Sequence, residues 1–204
     1  MAYPVVLIHG MSCTGAIWER VASLMTPRGY DCLAPSLPAH DASPSQRLQV
    51  GGQSLRDYLA FLEHMVATRE DRRSPIIIGH SMGGLLAQQI ATRVQPVALV
   101  LLAPAAPYGI PSISLTNTGI FMHYIRNGAF WRNGYKPDFT RAQRYIFRGV
   151  PVYCHRSLYE GLVHESGRAI FESPCGRSIS LALRQSTPNG YAVRSISSAA
   201  ARTG

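Results

Sequence analysis

An α/β chain with a mostly parallel sheet, flanking helices and a helical cap is what this sequence predicts, and three observations carry that reading. Short runs of apolar, largely β-branched residues are unbroken rather than alternating, as strands covered on both faces are. Segments with helical spacing separate these runs, the order expected of crossovers between parallel strands. One glycine-flanked serine sits where a strand gives way to a helix.

The first run, Tyr3 to Ile8, closes at His9-Gly10 and reads as a buried strand entering a turn. A helix follows from about Gly15 to Met25, with Ile17, Val21 and Leu24 on its apolar face, and ends near Pro27 and Gly29. Tyr30 to Ala34 is a second strand, stopped by Pro35 and Pro38. After a polar loop, Ser54 to Asp57 has the spacing of a capping box, ahead of Leu55, Tyr58, Leu59, Leu62 and Met65 on one helical face. Ser74 to Ile78 is a third strand, broken by Gly79; Leu85 to Val94 is the helix behind it, and Val97 to Ala103 a fourth strand ending at Pro104.

Residues 1–104 therefore read as the α/β core. Residues 105–172 change character: they are rich in aromatics and Asn-Gly turns (Asn127-Gly128, Asn133-Gly134), with helical patches at Arg141 to Phe147 and Ser157 to Val163. They are expected to form a mostly helical cap at one end of the sheet. Residues 173–204 are rich in Ser, Arg, Ala, Pro and Gly and hold no strong strand.

With 204 residues, 46% of them hydrophobic, the chain suits one sizeable core better than two ordinary domains. Its longest apolar runs fall far short of the roughly 18 to 20 residues that span a bilayer, and no basic start precedes the first, so a soluble, cytoplasmic protein is expected. Cys13, Cys32, Cys154 and Cys175 lie far apart without metal-ligand spacing, so free thiols and no metal are expected. Of the formal charge of +9, the tail supplies +4 through four arginines and no acid. No Lys/Arg stripe is interleaved with aromatics, which argues against a nucleic-acid partner.

The strongest chemical signal is Gly79-His80-Ser81-Met82-Gly83-Gly84, a G-x-S-x-G between a strand and a helix. A turn this sharp needs small residues on either side, and it lifts the serine hydroxyl clear of the sheet. The helix opening at Met82 also points free N–H groups toward charge developing beside Ser81. His9-Gly10-Met11, at the end of the first strand, is the second signal. Acyl transfer to Ser81 would create a negative oxygen that two backbone N–H groups must meet. The Met82 and Met11 amides are the candidates. His9 reads better as a loop brace than as a catalytic group, and the Met11 and Met82 side chains as either pocket lining or core.

Together, V-V-L-I-H-G-M-S-C-T-G, Y-D-C-L-A-P-S-L-P-A-H-D and I-I-I-G-H-S-M-G-G-L-L-A-Q resemble the α/β-hydrolase superfamily, closest to its esterase and lipase-like members with a helical lid. The likeness covers about residues 3–104, and residues 105–172 resemble a cap. It implies Ser81 as nucleophile, Met11 and Met82 as oxyanion-hole donors, a small acyl substrate and no cofactor. Haloalkane and epoxide chemistry in the family usually employs a carboxylate at this elbow, which Ser81 argues against.

The sequence departs from the family where its triad is completed, in the order Ser, Asp or Glu, His. No Asp or Glu follows Glu172 and no His follows His164. Substitutes within the cap would be His155 or His164, with Asp138, Glu160, Glu165 or Glu172 as acids. His164-Glu165 reads better as a brace of the cap. Back-translating the tail with G/C-ending codons and regrouping the bases gives, for one choice, a strand P-V-H-L-V followed by G-x-E-D-R, which resembles the family's acid-bearing segment. The expectation is a frameshifted, prematurely ended family member, the shift lying near Glu172 or Ser173, with the last strands missing and little turnover. A non-catalytic protein binding a small apolar ligand in the same pocket is the alternative.

Overall fold

The computed structural model describes residues 2–41, 43, 45–107, 132–175 and 194–196. Its centre is a sheet of five parallel strands in the order β2-β1-β3-β4-β7: β1 (Tyr3–Ile8), β2 (Tyr30–Leu33), β3 (Ile76–His80), β4 (Ala98–Leu102) and β7 (Arg194–Ile196). The register is continuous, Val6 pairing with both Leu33 and Ile77, and Ile77 with Leu99.

The sheet shows why its strands carry no polar alternation. Val6, Ile8, Ile77 and Leu101 face one side, against α3 (Leu55–Thr68) and α4 (Met82–Val94). Val5, Leu7, Ile76, Ile78 and Leu102 face the other, where Trp18, Val21, Ala22 and Met25 cover them. Successive strand residues point to opposite faces, so two covered faces demand an apolar residue at every position.

Most elements lie where the sequence puts them, with informative shifts. Strand β3 does not break at Gly79: it continues to His80, because Gly79 and His80 still pair with Leu101 and Leu102 of β4. The first helix is not uniform. Gly15–Trp18 forms a 3-10 turn before α1 (Glu19–Met25). The covered face is Trp18, Val21, Ala22 and Met25, so Trp18 is buried while Ile17 and Leu24 are about half exposed. In α3 the capping box forms as expected: Ser54 Oγ accepts from Asp57 N at 3.2 Å, and Asp57 Oδ2 accepts from Ser54 N at 2.8 Å. The loop before it holds an unanticipated helix, α2 (Gln46–Val50).

Within residues 132–175 the helical expectation needs correction. Gly134 is not in an Asn-Gly turn: it opens β5 (Gly134–Tyr135), which pairs antiparallel with β6 (Glu165–Ser166). Between them lie α5 (Phe139–Arg141), a π-turn at Ala142–Ile146, and α6 (His155–Glu160), which stops before Leu162 and Val163. Helix α7 (Gly167–Cys175) follows, and its Ala169 lies in the main core beside α3 and α4. The predicted Asn127-Gly128 turn lies outside the described residues. The tail corrects a further expectation, since Arg194–Ile196 is a strand that pairs parallel with β4, Leu101 opposite Ser195. Among the described residues no helix is long and apolar enough to cross a membrane.

Candidate active site

In the order β2-β1-β3-β4 the chain leaves β1 toward one edge of the sheet and leaves β3 toward the other. A crevice opens at the carboxyl ends of strands where connections diverge in this way. His9-Gly10-Met11 follows β1 and Ser81 follows β3, so both sequence signals meet at that point.

Ser81 has φ 53° and ψ −120°, a left-handed conformation that costs a non-glycine residue roughly 1 to 3 kcal/mol. Its backbone is tied on every side. Ser81 N–H donates to Leu102 O at 3.1 Å, and Ser81 O accepts from Gly84 N at 2.9 Å and Ala105 N at 2.8 Å. The glycines around it answer to close approach. A Cβ on Gly79 would lie 2.3 Å from Gly83 O, and one on Gly83 would lie 2.3 Å from both Ile8 O and His9 O. Helix α4 thus starts directly on the end of β1. A Cβ on Gly10 would be 3.1 Å from Ser81 Cβ and from His80 Nδ1, so the loop after β1 packs against the elbow itself.

Met82 opens α4, and as a first helical residue its N–H has no intrahelical acceptor. Met11 follows Gly10 directly. Met82 thus adjoins Ser81 in sequence, and Met11 lies one residue beyond the glycine that packs against it. The Met82 side chain is fully buried in the core rather than lining a pocket, and Met11 packs between that core and Ile170. His80 is half-buried, and burial lowers its pKa.

His9 is fully buried with both ring nitrogens engaged: Nε2 accepts from Leu37 N at 3.0 Å and Nδ1–H donates to Gly10 O at 2.9 Å. Burial lowers its pKa to about 4, with the Gly10 carbonyl pulling the other way. The imidazole is neutral and bridges the loops after β1 and β2.

The triad substitutes all have other partners. His155 Nε2–H donates to Val150 O at 2.9 Å and its Nδ1 lies 3.3 Å from Gln143 Nε2. His164 is bound through its backbone and Nδ1 to Gln46, and burial lowers its pKa. Asp138 caps α5 and pairs with Arg141, Glu160 pairs with Arg156, and Glu172 accepts from Leu55 N and Arg168 Nε. Glu165 is the centre of a buried cluster described below. Among the described residues no histidine hydrogen-bonds Ser81.

That cluster escaped the sequence. Glu165 is 1% exposed and accepts four hydrogen bonds: Oε2 from Ser12 N at 3.1 Å and His40 Nε2 at 3.0 Å, Oε1 from Tyr58 OH at 2.9 Å and Ser166 N at 2.8 Å. His40 also donates Nδ1–H to Pro38 O at 3.1 Å, so both its nitrogens are donors and the ring is an imidazolium. Burial opposes that charge, but the Glu165 carboxylate and the Pro38 and Leu37 carbonyls outweigh it and raise the His40 pKa. Burial likewise opposes the Glu165 charge, and His40 with the Ser166 and Ser12 amides lowers its pKa nonetheless. The His9 and Tyr58 rings pack against His40 at 5.2 and 5.4 Å.

Residues 5–193 match the model of the alpha/beta hydrolase family. The chain belongs to that family. Among curated proteins it is similar to protein ABHD14A of Danio rerio, 34% identical over 110 residues that make up 52% of this chain and 39% of that protein. It is also similar to the probable esterase PIR7A of Oryza sativa, 31% identical over 80 residues, 39% of this chain and 30% of that one. The matched part thus spans less than two-fifths of these relatives. Among solved structures, an extracellular alpha/beta-hydrolase from a Paenibacillus species superposes with TM-score 0.66 at 19% identity, covering 85% of this chain and 69% of that one. The methylesterase MES16 from Arabidopsis superposes with TM-score 0.62 at 16% identity, covering 85% and 71%. At such identities the structures share the fold with this hydrolase-family chain.

Proposed function

We propose that Ser81 is the nucleophile of an acyl-transfer site for carboxylic esters or related acyl substrates, and that turnover by this chain is impaired. The observation that carries the reading is Ser81 held at φ 53° on the strand-to-helix turn, against Gly10 and ahead of a helix N-terminus. Esterase and hydrolase names among the similar proteins support the substrate class.

In this reading Ser81 Oγ attacks the acyl carbon and the carbonyl electron pair moves onto oxygen. The Met11 and Met82 amides meet that oxyanion, the alcohol departs, and water later releases the acid from Ser81. Attack needs a base for the hydroxyl proton, and among the described residues His9, His40, His155 and His164 are all engaged away from Ser81. Slow acylation and slower turnover follow.

A fluorophosphonate probe with a p-nitrophenyl ester assay tests the proposal. Labelling that Ser81→Ala abolishes, with ester turnover orders of magnitude below that of a complete triad, is the expected result. A folded chain that the probe does not label overturns it. The second reading, a binder of small apolar ligands, is favoured by the engagement of His9, His40, His155 and His164 away from Ser81. Ligand binding without labelling supports that one.

A further inference from the structure

Ser12, one residue beyond the candidate oxyanion donor Met11, has φ 57° and is almost fully buried. A serine does not hold that conformation without support. Its support comes from far along the chain. Ser12 N–H donates to Glu165 Oε2 at 3.1 Å, and Ser12 O accepts from Val163 N at 2.9 Å. Both backbone polar groups of Ser12 are thus bound by the strip 163–165. The strip is fixed in turn. Gln46 binds His164 N and His164 O at 3.1 and 2.8 Å, and Ser166 Oγ donates to Gln53 O at 2.5 Å. The Glu165 carboxylate cannot swing away, because His40, Tyr58 and Ser166 N occupy its other lone pairs.

We infer that Glu165 is a positioning residue for the acyl-transfer site: by binding Ser12 N–H it sets the Gly10–Cys13 turn so that the Met11 amide faces the space beside Ser81. This rests on the reading of Ser81 as nucleophile. The separation of tasks follows from the geometry. Glu165 does not touch the reacting atoms, and its oxygen ends one residue short of the donor it aims. The Gly10 contact with Ser81 fixes one end of the turn, and the Cys13 N–H to Gly10 O bond at 3.4 Å is too long to fix its shape alone. A carboxylate suits this task better than an amide, because four donors converge on it and a glutamine can accept at only one of its two terminal atoms.

The full chain carrying Glu165→Gln tests this through fluorophosphonate labelling of Ser81, resolved into the maximal inactivation rate and the half-saturating probe concentration, on protein shown folded by its thermal transition. A tenfold or larger loss in the maximal rate, with half-saturation within twofold of the parent, is expected. A displaced donor weakens charge stabilisation and leaves probe binding alone. Glu165→Asp, which restores the charge but withdraws the carboxylate by one methylene, should show a similar loss of rate. If folded Gln and Asp variants are labelled at the parental rate, the inference is overturned, while labelling lost in Ser81→Ala still upholds the nucleophile. If the parent itself is not labelled, both fall. Should both variants fail to fold, amide hydrogen exchange of the parent decides: adduct formation at Ser81 should slow Ser12 exchange at least fivefold, and unchanged exchange overturns the inference.

Discussion

His40 Nε2 donates to Glu165 Oε2 at 3.0 Å with both side chains fully buried, joining the loop after β2 to β6 across 125 residues of sequence. Removing one partner of such a pair leaves an unmatched charge in a nonpolar setting, which costs far more than the pair contributes. His40→Leu should therefore destabilise the chain by roughly 3 to 5 kcal/mol, measured by urea denaturation. A loss under 1 kcal/mol would show that the pair is solvated.

The buried imidazoles set opposite limbs of a pH profile. His9 is held near 4, whereas in the unfolded chain it protonates near 6.5, so its share of stability is whole above that value and is lost as pH falls toward 4. The share is about 3 kcal/mol at the linkage rate of 1.36 kcal/mol per pH unit. Glu165, lowered below its ordinary carboxyl value, loses its contribution on the same acid side. His40 is raised, so its share is present below 6.5 and is lost as pH rises through its folded value. Thermal midpoints from pH 4 to 9 should pass through a maximum near neutrality. A profile flat between pH 4 and 7 would contradict the burial of neutral His9.

The covered face of the first helix gives a paired test. Trp18 is 5% exposed against Val5 and Leu7, while Leu24 is 56% exposed. Trp18→Ala should cost about 3 to 5 kcal/mol and Leu24→Ala about 0.5 kcal/mol or less. Equal costs would return the face to Ile17, Val21 and Leu24.

Gly83→Ala places a methyl 2.3 Å from two carbonyl oxygens at the end of β1, so folding should be lost or weakened by roughly 3 kcal/mol or more. Gly52→Ala is the control, since nothing lies within 4 Å of its added carbon. Calorimetry of the two variants should separate them clearly.

Ser54→Ala removes the side-chain acceptor of the capping box and should lower stability by about 1 kcal/mol. A change below 0.3 kcal/mol, read from chemical denaturation, would mean that Glu172, which accepts from Leu55 N, carries the helix start alone.

What the sequence reveals here follows the range of each physical signal. Strand positions and the Ser81 elbow are legible because apolar runs and glycine spacing are local. The capping box is legible for the same reason. The face of the first helix is misread because Trp18, Val21, Ala22 and Met25 form a helical stripe as regular as Ile17, Val21 and Leu24, and only the position of the sheet decides between them. The Glu165 cluster leaves no local trace: Tyr58 fits an ordinary core position in α3, His40 sits in a proline-rich loop, and only folding brings them together. The neighbouring Ser166 signals only the start of α7, where its Oγ accepts from Ala169 N at 3.2 Å as an N-terminal cap, and says nothing of the carboxylate beside it.

The order of synthesis gives the clamp on Ser12 a consequence in time. Glu165 is made 153 residues after Ser12, which at about 5 to 20 residues per second is a delay of roughly 8 to 30 s. From the moment Ser81 is made until Glu165 follows it, the nascent chain carries the elbow beside a loop that has no anchor. The elbow is thus made early, and the loop beside it acquires its shape only once synthesis has passed Glu165.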